Sequence, residues 1–216
     1  MKLKVKGIIM DLDGTLTDSK EAYRDALVKA LETFGVKNFD QNLALEIPRR
    51  LEQNLSIEDL LPKISIEKFL KAYLEAYYRL AEDRAKPLPN VQKTLEKLSG
   101  KARLALLTMR YVPCEKIGNW LERAGLAKYF QCVVTALNTR FPKPSPKALA
   151  ECAKRLGVEV GECAIVGDSI ADVRAGKNAG AKTVAVLSGI FTREELEREK
   201  PDLIINDINE LPSFLE

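Results

Sequence analysis

Two carboxylates two residues apart, Asp11 and Asp13, stand at the end of a short apolar run, Val5 to Met10. That spacing suits phosphoryl transfer. One acid attacks phosphorus as a carboxylate, and the other protonates the leaving oxygen and later activates water. Acids crowded in this way need a counter-charge, and Mg²⁺, which favours a few carboxylates plus substrate phosphate, fits that need. Gly14 allows the sharp turn that follows, and Thr15 can hydrogen-bond locally to hold it. Further along, Thr108 offers a hydroxyl, and the backbone N–H groups after it, beginning at Met109, can seat a phosphate oxygen. Lys143, in the stiff stretch Lys143-Pro144-Ser145-Pro146, can set one cation against a phosphoryl group and the crowded carboxylates. Asp168 can complete a metal site with Asp11 and the backbone carbonyl of Asp13. Asp172, one helical turn beyond it, lies on the same face and can support it.

Each of these residues also has a plainer use. Asp11 to Gly14 can be a simple turn after a strand; a calcium loop is excluded because the spaced acids and distal Glu of that pattern are missing. Thr108 can cap the helix after it, and Asp168 or Ser169 can cap the helix at Ile170. Lys143 can be an exposed loop lysine and Asp172 a solvated helix residue. The chemical reading rests on the set taken together and in order.

The elements that must position this set alternate. After the opening loop, Asp18 or Ser19 can start a helix whose apolar residues Ala22, Tyr23, Ala26, Leu27, Ala30 and Leu31 recur at helical spacing up to Gly35. From Asn38 to Arg84 the pattern stays helical, in pieces at Leu43–Leu45, Pro48–Leu55, Ile57–Leu61 and Ile66–Ala85. Lys86 to Asn90, with two prolines, forms a stiff return. Strands are then expected at Ala102–Leu107, Gln131–Thr135, Cys163–Val166, Thr183–Leu187 and Leu203–Ile205. Helices fall between them at Val91–Leu98, Pro113–Ala124, Pro146–Leu156 and Ile170–Ala179. This is an α/β chain with a doubly wound parallel sheet, interrupted after its first strand by a helical insertion. Asp11, Asp13, Thr108 and Asp168 are each among the first polar residues after an apolar strand, so they converge at the carboxyl edge of the sheet, where open α/β sheets bind ligands.

Composition excludes several alternatives. With 34 basic and 31 acidic residues the net charge is +3, too small to imply nucleic acid or a membrane surface as partner. No apolar stretch approaches a membrane span, and the run after the basic start is too short for a secretory signal. The chain contains no histidine, which removes histidine-based triads, metal sites and acid–base chemistry. Cys114, Cys132, Cys152 and Cys163 are widely spaced, as expected of buried free thiols in a reducing cytoplasm.

The series Asp11-Leu12-Asp13-Gly14-Thr15-Leu16-Thr17-Asp18-Ser19, a strand ending in Thr108, Lys143-Pro144-Ser145-Pro146, and Gly167-Asp168-Ser169 with Asp172 resembles the haloacid dehalogenase superfamily. The resemblance runs from Gly7 to about Leu211, and is strongest to the phosphoglycolate phosphatase and beta-phosphoglucomutase branch, which carries a helical cap. It implies a Rossmann-like core at residues 1–17 and 87–216, an inserted α-helical cap domain at 18–86, and an Mg²⁺-dependent aspartyl-phosphate mechanism. Asp11 would be the nucleophile and Asp13 the acid/base. Thr108 and Lys143 would bind the phosphoryl group, Asp168 the metal, and Asp172 would support it. The retained Asp13 argues against a true dehalogenase. Two departures stand out. Met109-Arg110 follows Thr108 where the family commonly has Asn or Ser, so Arg110 either faces solvent or adds a cation at the pocket rim. Caps of the beta-phosphoglucomutase type carry a Gly-x-x-Arg loop, whereas this chain has Glu46-Ile47-Pro48-Arg49-Arg50, leaving Arg49 and Arg50 as cap residues that either contact substrate or face solvent.

The reading is thus a cytoplasmic phosphatase, monomer or homodimer, acting on a small phosphorylated metabolite. Its alternatives are a phosphomutase using the same residues, a response-regulator-like receiver, which would lack the long insertion and the paired acids, and a catalytically silent binding protein on the same fold.

Overall fold

The computed structural model describes residues 2–53, 55–61 and 63–216. They form two compact units, one of residues up to Asp18 together with Lys86–Glu216, the other of Ser19–Ala85. In chain order the elements are β1 (Gly7–Met10), β2 (Thr17–Asp18), α1 (Lys20–Glu32), α2 (Leu43–Glu52), α3 (Ile66–Arg84), β3 (Lys86–Pro87), α4 (Val91–Ser99) and β4 (Arg103–Thr108). They continue with α5 (Cys114–Arg123), β5 (Phe130–Thr135), α6 (Pro146–Leu156), β6 (Cys163–Gly167), α7 (Ile170–Ala179), β7 (Lys182–Val186), α8 (Arg193–Arg198) and β8 (Leu203–Ile205).

Among the described residues the main sheet has six strands in the order β5-β4-β1-β6-β7-β8. Every neighbouring pair is parallel. All four residues of β1 and all five of β6 are buried, the continuous apolar run that a strand covered on both faces requires. On one face Ile9, Ala105, Leu107 and Ile165 pack with Ala148, Leu149, Cys152 and Leu156 of α6. Alternation along the strands sends Ile8, Met10, Leu104 and Leu106, also buried, to the other face. The chain builds outward from β1 in one direction through β4 and β5, then returns to its other side with β6. That reversal places the crevice beyond the carboxyl ends of β1 and β6.

In the helical unit α1 buries Ala22, Tyr23, Ala26, Leu27, Ala30 and Leu31, the stripe expected from their spacing. Tyr23 stacks on Tyr77 of α3 with ring centroids 4.7 Å apart. No helix among the described residues is long and apolar enough to cross a membrane.

Four expectations need correction. The helix expected to break at Pro48 runs through it from Leu43 to Glu52, because burial of Ala44, Ile47 and Pro48 outweighs the one backbone hydrogen bond that proline cannot donate; Asn54, within the expected Pro48–Leu55 piece, lies outside the described residues. The stretch read as a stiff return pairs with the chain just after the opening loop, Pro87 opposite Thr17 and Lys86 opposite Asp18, as a short antiparallel ribbon. Helix α8 was not foreseen, although Thr192 and Glu195 form a capping box at its start. The four cysteines are free, but only Cys152 and Cys163 are buried; Cys114 and Cys132 are partly exposed.

Candidate active site

The site begins where β1 ends. The Asp11 N–H donates to the Val166 carbonyl at 2.9 Å, which extends the β1–β6 pairing by one residue and fixes Asp11 over the crevice. Gly14 then turns the chain with φ +75°, a conformation other side chains rarely adopt, and a Cβ there would also collide with the Asp168 carboxylate. Gly189, in the loop after β7, approaches the same carboxylate so closely that any Cβ would overlap it. Asp168 is thus boxed between two glycines. It is held by the Thr15 hydroxyl donating to Oδ1 and the Ile190 N–H donating to Oδ2, both at 3.3 Å. Ser188 closes this wall by donating to the Gly14 carbonyl at 2.6 Å. The Ser188–Ile190 contribution went unread in the sequence, although it follows the carboxyl end of another strand on the same edge.

Lys143 joins three segments. Its Nζ donates to Asp11 Oδ1 and Asp172 Oδ1, both at 2.7 Å, and the side chain is buried. The loop that carries it has a cis Lys143–Pro144 peptide and leads into α6, where Ser145 caps the helix by accepting the Lys147 N–H. Asp172 is fully engaged, since its Oδ2 also accepts the Ser169 N–H at 3.2 Å and the Ser169 hydroxyl at 2.7 Å in the capping box of α7. Ser169 therefore orients Asp172, and Asp172 orients Lys143. Burial opposes the Lys143 charge, but the facing Asp11 and Asp172 carboxylates outweigh it and hold the ammonium above its usual range. Burial pushes the Asp11 carboxyl up to about 7; Lys143 opposes that rise, while Asp172 and Asp13 add to it.

Thr108, at the end of β4, is buried, and its hydroxyl accepts the Arg110 N–H at 3.2 Å. Met109 between them is partly exposed. Arg110 does not face solvent. It is 4% exposed, and its guanidinium grips Asp13 with both arms, Nε to Oδ2 at 2.7 Å and Nη2 to Oδ1 at 2.6 Å. The alternative of a solvent-facing arginine is overturned because Asp13, at the end of the adjacent strand, supplies a planar partner matching the guanidinium fork. Arg49 and Arg50 lie within helix α2, not on a loop. Arg49 pairs with Glu46 at 3.6 Å, and Arg50 with Glu46 at 2.9 Å and Asp59 at 2.6 Å, all within the helical unit.

Carboxylate oxygens of Asp11, Asp168 and Asp172 lie within 4.8 Å of one another. This cluster of three carboxylates meets the Lys143 ammonium, while Asp13, whose charge reaches Asp11, is paired with Arg110. An all-oxygen donor set with this charge imbalance fits a hard divalent cation. Asp172 is held at both oxygens by Lys143 and Ser169 at 2.7 Å, whereas the contacts to Asp168 are longer, at 3.3 Å.

A parallel sheet reversing at β1 thus carries the paired acids, the lysine bridge and an acidic cluster at its carboxyl edge. The chain belongs to the haloacid dehalogenase-like hydrolase family, whose model matches residues 8–186. It is 30% identical to a phosphoglycolate phosphatase of Aquifex aeolicus, over 97% of this chain and 96% of that protein. It is 25% identical to the pyrophosphatase PpaX of Bacillus cereus, over 99% and 97% of the two chains. Its fold matches a haloacid dehalogenase-like hydrolase from Streptococcus pneumoniae with a TM-score of 0.84, covering 98% of each chain at 20% identity.

Proposed function

We propose that this chain is an Mg²⁺-dependent phosphatase that hydrolyses a phosphate monoester of a small metabolite through an aspartyl-phosphate. The observation that carries the reading is the buried Lys143 bridge, which fixes Asp11 at the sheet edge beside Asp13 and Asp168. Lys143 occupies Oδ1 of Asp11, and no hydrogen bond from a described residue reaches Oδ2. In the first step an Asp11 oxygen bonds to phosphorus as the ester oxygen leaves, and Asp13 gives that oxygen a proton. In the second, Asp13 takes a proton from water, which attacks phosphorus, releases inorganic phosphate and restores the Asp11 carboxylate. Lys143, Thr108 and the Met109 N–H hold the phosphoryl oxygens as charge spreads over them. Asp11, Asp168 and the Asp13 carbonyl would hold Mg²⁺, which supplies charge compensation for the phosphoryl group. The reading assigns residues 1–17 and 87–216 to the catalytic core and 18–86 to a cap that sets specificity. The names of the two relatives put phosphoglycolate and pyrophosphate first among substrates to try.

The direct test is phosphate release from a panel of phosphorylated metabolites, including those two, with Mg²⁺ or with EDTA. Release that requires the metal is expected. Release undiminished by EDTA, or transfer of the phosphoryl group to a sugar phosphate without net hydrolysis, overturns the reading.

A second expectation follows from Asp11. Because its folded pKa is raised from 3.8 to about 7, the stability it contributes without metal is fully present below about pH 4 and is lost as the pH climbs through about 7. Bound Mg²⁺ compensates the ionised carboxylate, so it should raise the melting temperature more at pH 8 than at pH 5.5. An equal shift at both values would place the ion elsewhere.

A further inference from the structure

We infer that Cys132 and Cys152 are a reversible dithiol–disulfide pair, whose oxidation ties β5 to α6 and braces the segment that carries Lys143. Its readouts need no substrate, so it stands or falls apart from the phosphatase reading.

The two thiols meet on one face of the sheet. Cys132 sits opposite Ala105 in the β4–β5 register, and alternation puts it on the same side of its strand as Val134. Cys152, in the middle of α6, is buried in the cluster that contains Ala105, Val134 and Leu149, and Cys132 packs against that cluster from the strand. The Cys152 thiol donates a hydrogen bond to the Cys132 sulfur. The side chains therefore point at one another, the condition without which a disulfide cannot close.

Their surroundings differ as the two members of a redox pair require. Cys132 is partly exposed, whereas Cys152 is 0% exposed. Arg155 reaches across from α6, donating from Nη1 to the Val133 carbonyl at 3.5 Å and from Nε to Glu151 at 2.8 Å, which sets its guanidinium beside Cys132. The hydrogen bond from Cys152 favours the Cys132 thiolate and Arg155 adds to it; burial and Glu151 oppose them, and the balance falls below the usual thiol range. The same hydrogen bond, with burial, pushes the Cys152 thiol up. Cys132 is thus the attacking thiolate and Cys152 the resolving thiol.

The oxidant is a hydroperoxide. The Cys132 sulfur bonds to its terminal oxygen, the O–O bond breaks, and the departing oxygen takes a proton from water, leaving a sulfenic acid on Cys132. The Cys152 sulfur then displaces that oxygen, which leaves as water with the Cys152 proton, and the S–S bond is made. The two sulfurs lose two electrons and the O–O bond receives them; a small thiol in excess reverses the change. The bond closes residues 132–152 into a loop that contains the whole β5–α6 connection, Lys143 included. Because β5 lies at the edge of the sheet beside β4, the bond also gives that edge a covalent anchor.

The test treats the full chain with hydrogen peroxide, alkylates the remaining thiols under denaturing conditions and maps the peptides by mass. Cys132 and Cys152 should be lost to alkylation together and appear in one linked peptide, with recovery on adding dithiothreitol and the same result in Cys114→Ser. In Cys152→Ala the reaction should stop at a Cys132 sulfenic acid that dimedone captures, and in Cys132→Ser the Cys152 thiol should stay reduced. Closing a loop of this length should raise the melting temperature of oxidised wild type by about 5–10 °C over the reduced protein, a gain absent from both variants. Oxidation of Cys132 to a sulfinic acid with Cys152 still alkylatable, or a linked peptide joining Cys132 to any other cysteine, overturns the pairing. A correct linkage with no gain in melting temperature overturns the brace.

Discussion

Asp11→Asn is expected to lower phosphate release by about 10⁴-fold or more while leaving the metal-free fold as stable as wild type, or more stable, at pH 8. The loss of turnover follows from removing the nucleophile, since an amide oxygen does not form the aspartyl-phosphate. The stability result has a separate origin. The Asp11 carboxyl is buried and its pKa is pushed up to about 7, so at pH 8 the fold must hold a charge that its surroundings disfavour. Asparagine has nearly the same shape, carries no charge, and its carbonyl can still accept from Lys143. Lys143 keeps Asp172 as its counter-ion at 2.7 Å, so no buried charge is orphaned. Thermal melts in EDTA at pH 8 check the second half. Residual turnover above about one part in a hundred would show that another group, or water directly, attacks phosphorus.

Lys143→Ala should behave in the opposite way. It removes a cation that touches both Asp11 and Asp172, and both carboxylates stay buried. Breaking a buried pair by deleting one partner typically costs about 3–5 kcal/mol, because the remaining charge is left uncompensated. Denaturant melts in EDTA should show a loss in that range, with Mg²⁺ recovering part of it. Turnover should also fall by about 10²–10³-fold, the usual cost of removing one preorganised donor to the phosphoryl oxygens. The two substitutions are in contact, so their effects should not add. The double variant Asp11→Asn, Lys143→Ala should lose less stability than Lys143→Ala alone, since only Asp172 is then unpaired. A double variant less stable than Lys143→Ala would mean that the bridge is not the source of the coupling.

What the sequence could convey about this site depended on the range of the interaction. Asp11, Asp13, Thr108 and Asp168 were legible because each follows an apolar strand, and parallel strands deliver such residues to a common edge. The order of the sheet was not legible: alternating strands and helices imply a parallel sheet but leave open on which side of β1 each later strand adds. Arg110 was only half legible. Its partner Asp13 is 97 residues away on another loop, and no local spacing encodes that meeting. The loop at Ser188–Ile190 was passed over for a different reason: its contribution is a backbone N–H, a hydroxyl and the absence of a side chain at Gly189, none of which has a chemical signature. Pro48 misled because proline's local preference against helix interiors was overridden by packing. The start of α8, by contrast, was written in Thr192 and Glu195 and could have been found.

The first turn of α7 has a role beyond closing a helix. One carboxylate, Asp172, ties that turn to Ser169 with one oxygen and restrains the Lys143 ammonium with the other. Fraying of the turn would therefore loosen the restraint on the lysine. The backbone amide of Ser169, protected from deuterium by its bond to Asp172, becomes an internal gauge of the site. A ligand that draws Lys143 away from Asp172 leaves its trace there, in the exchange rate of an amide on a neighbouring segment, before any product is formed.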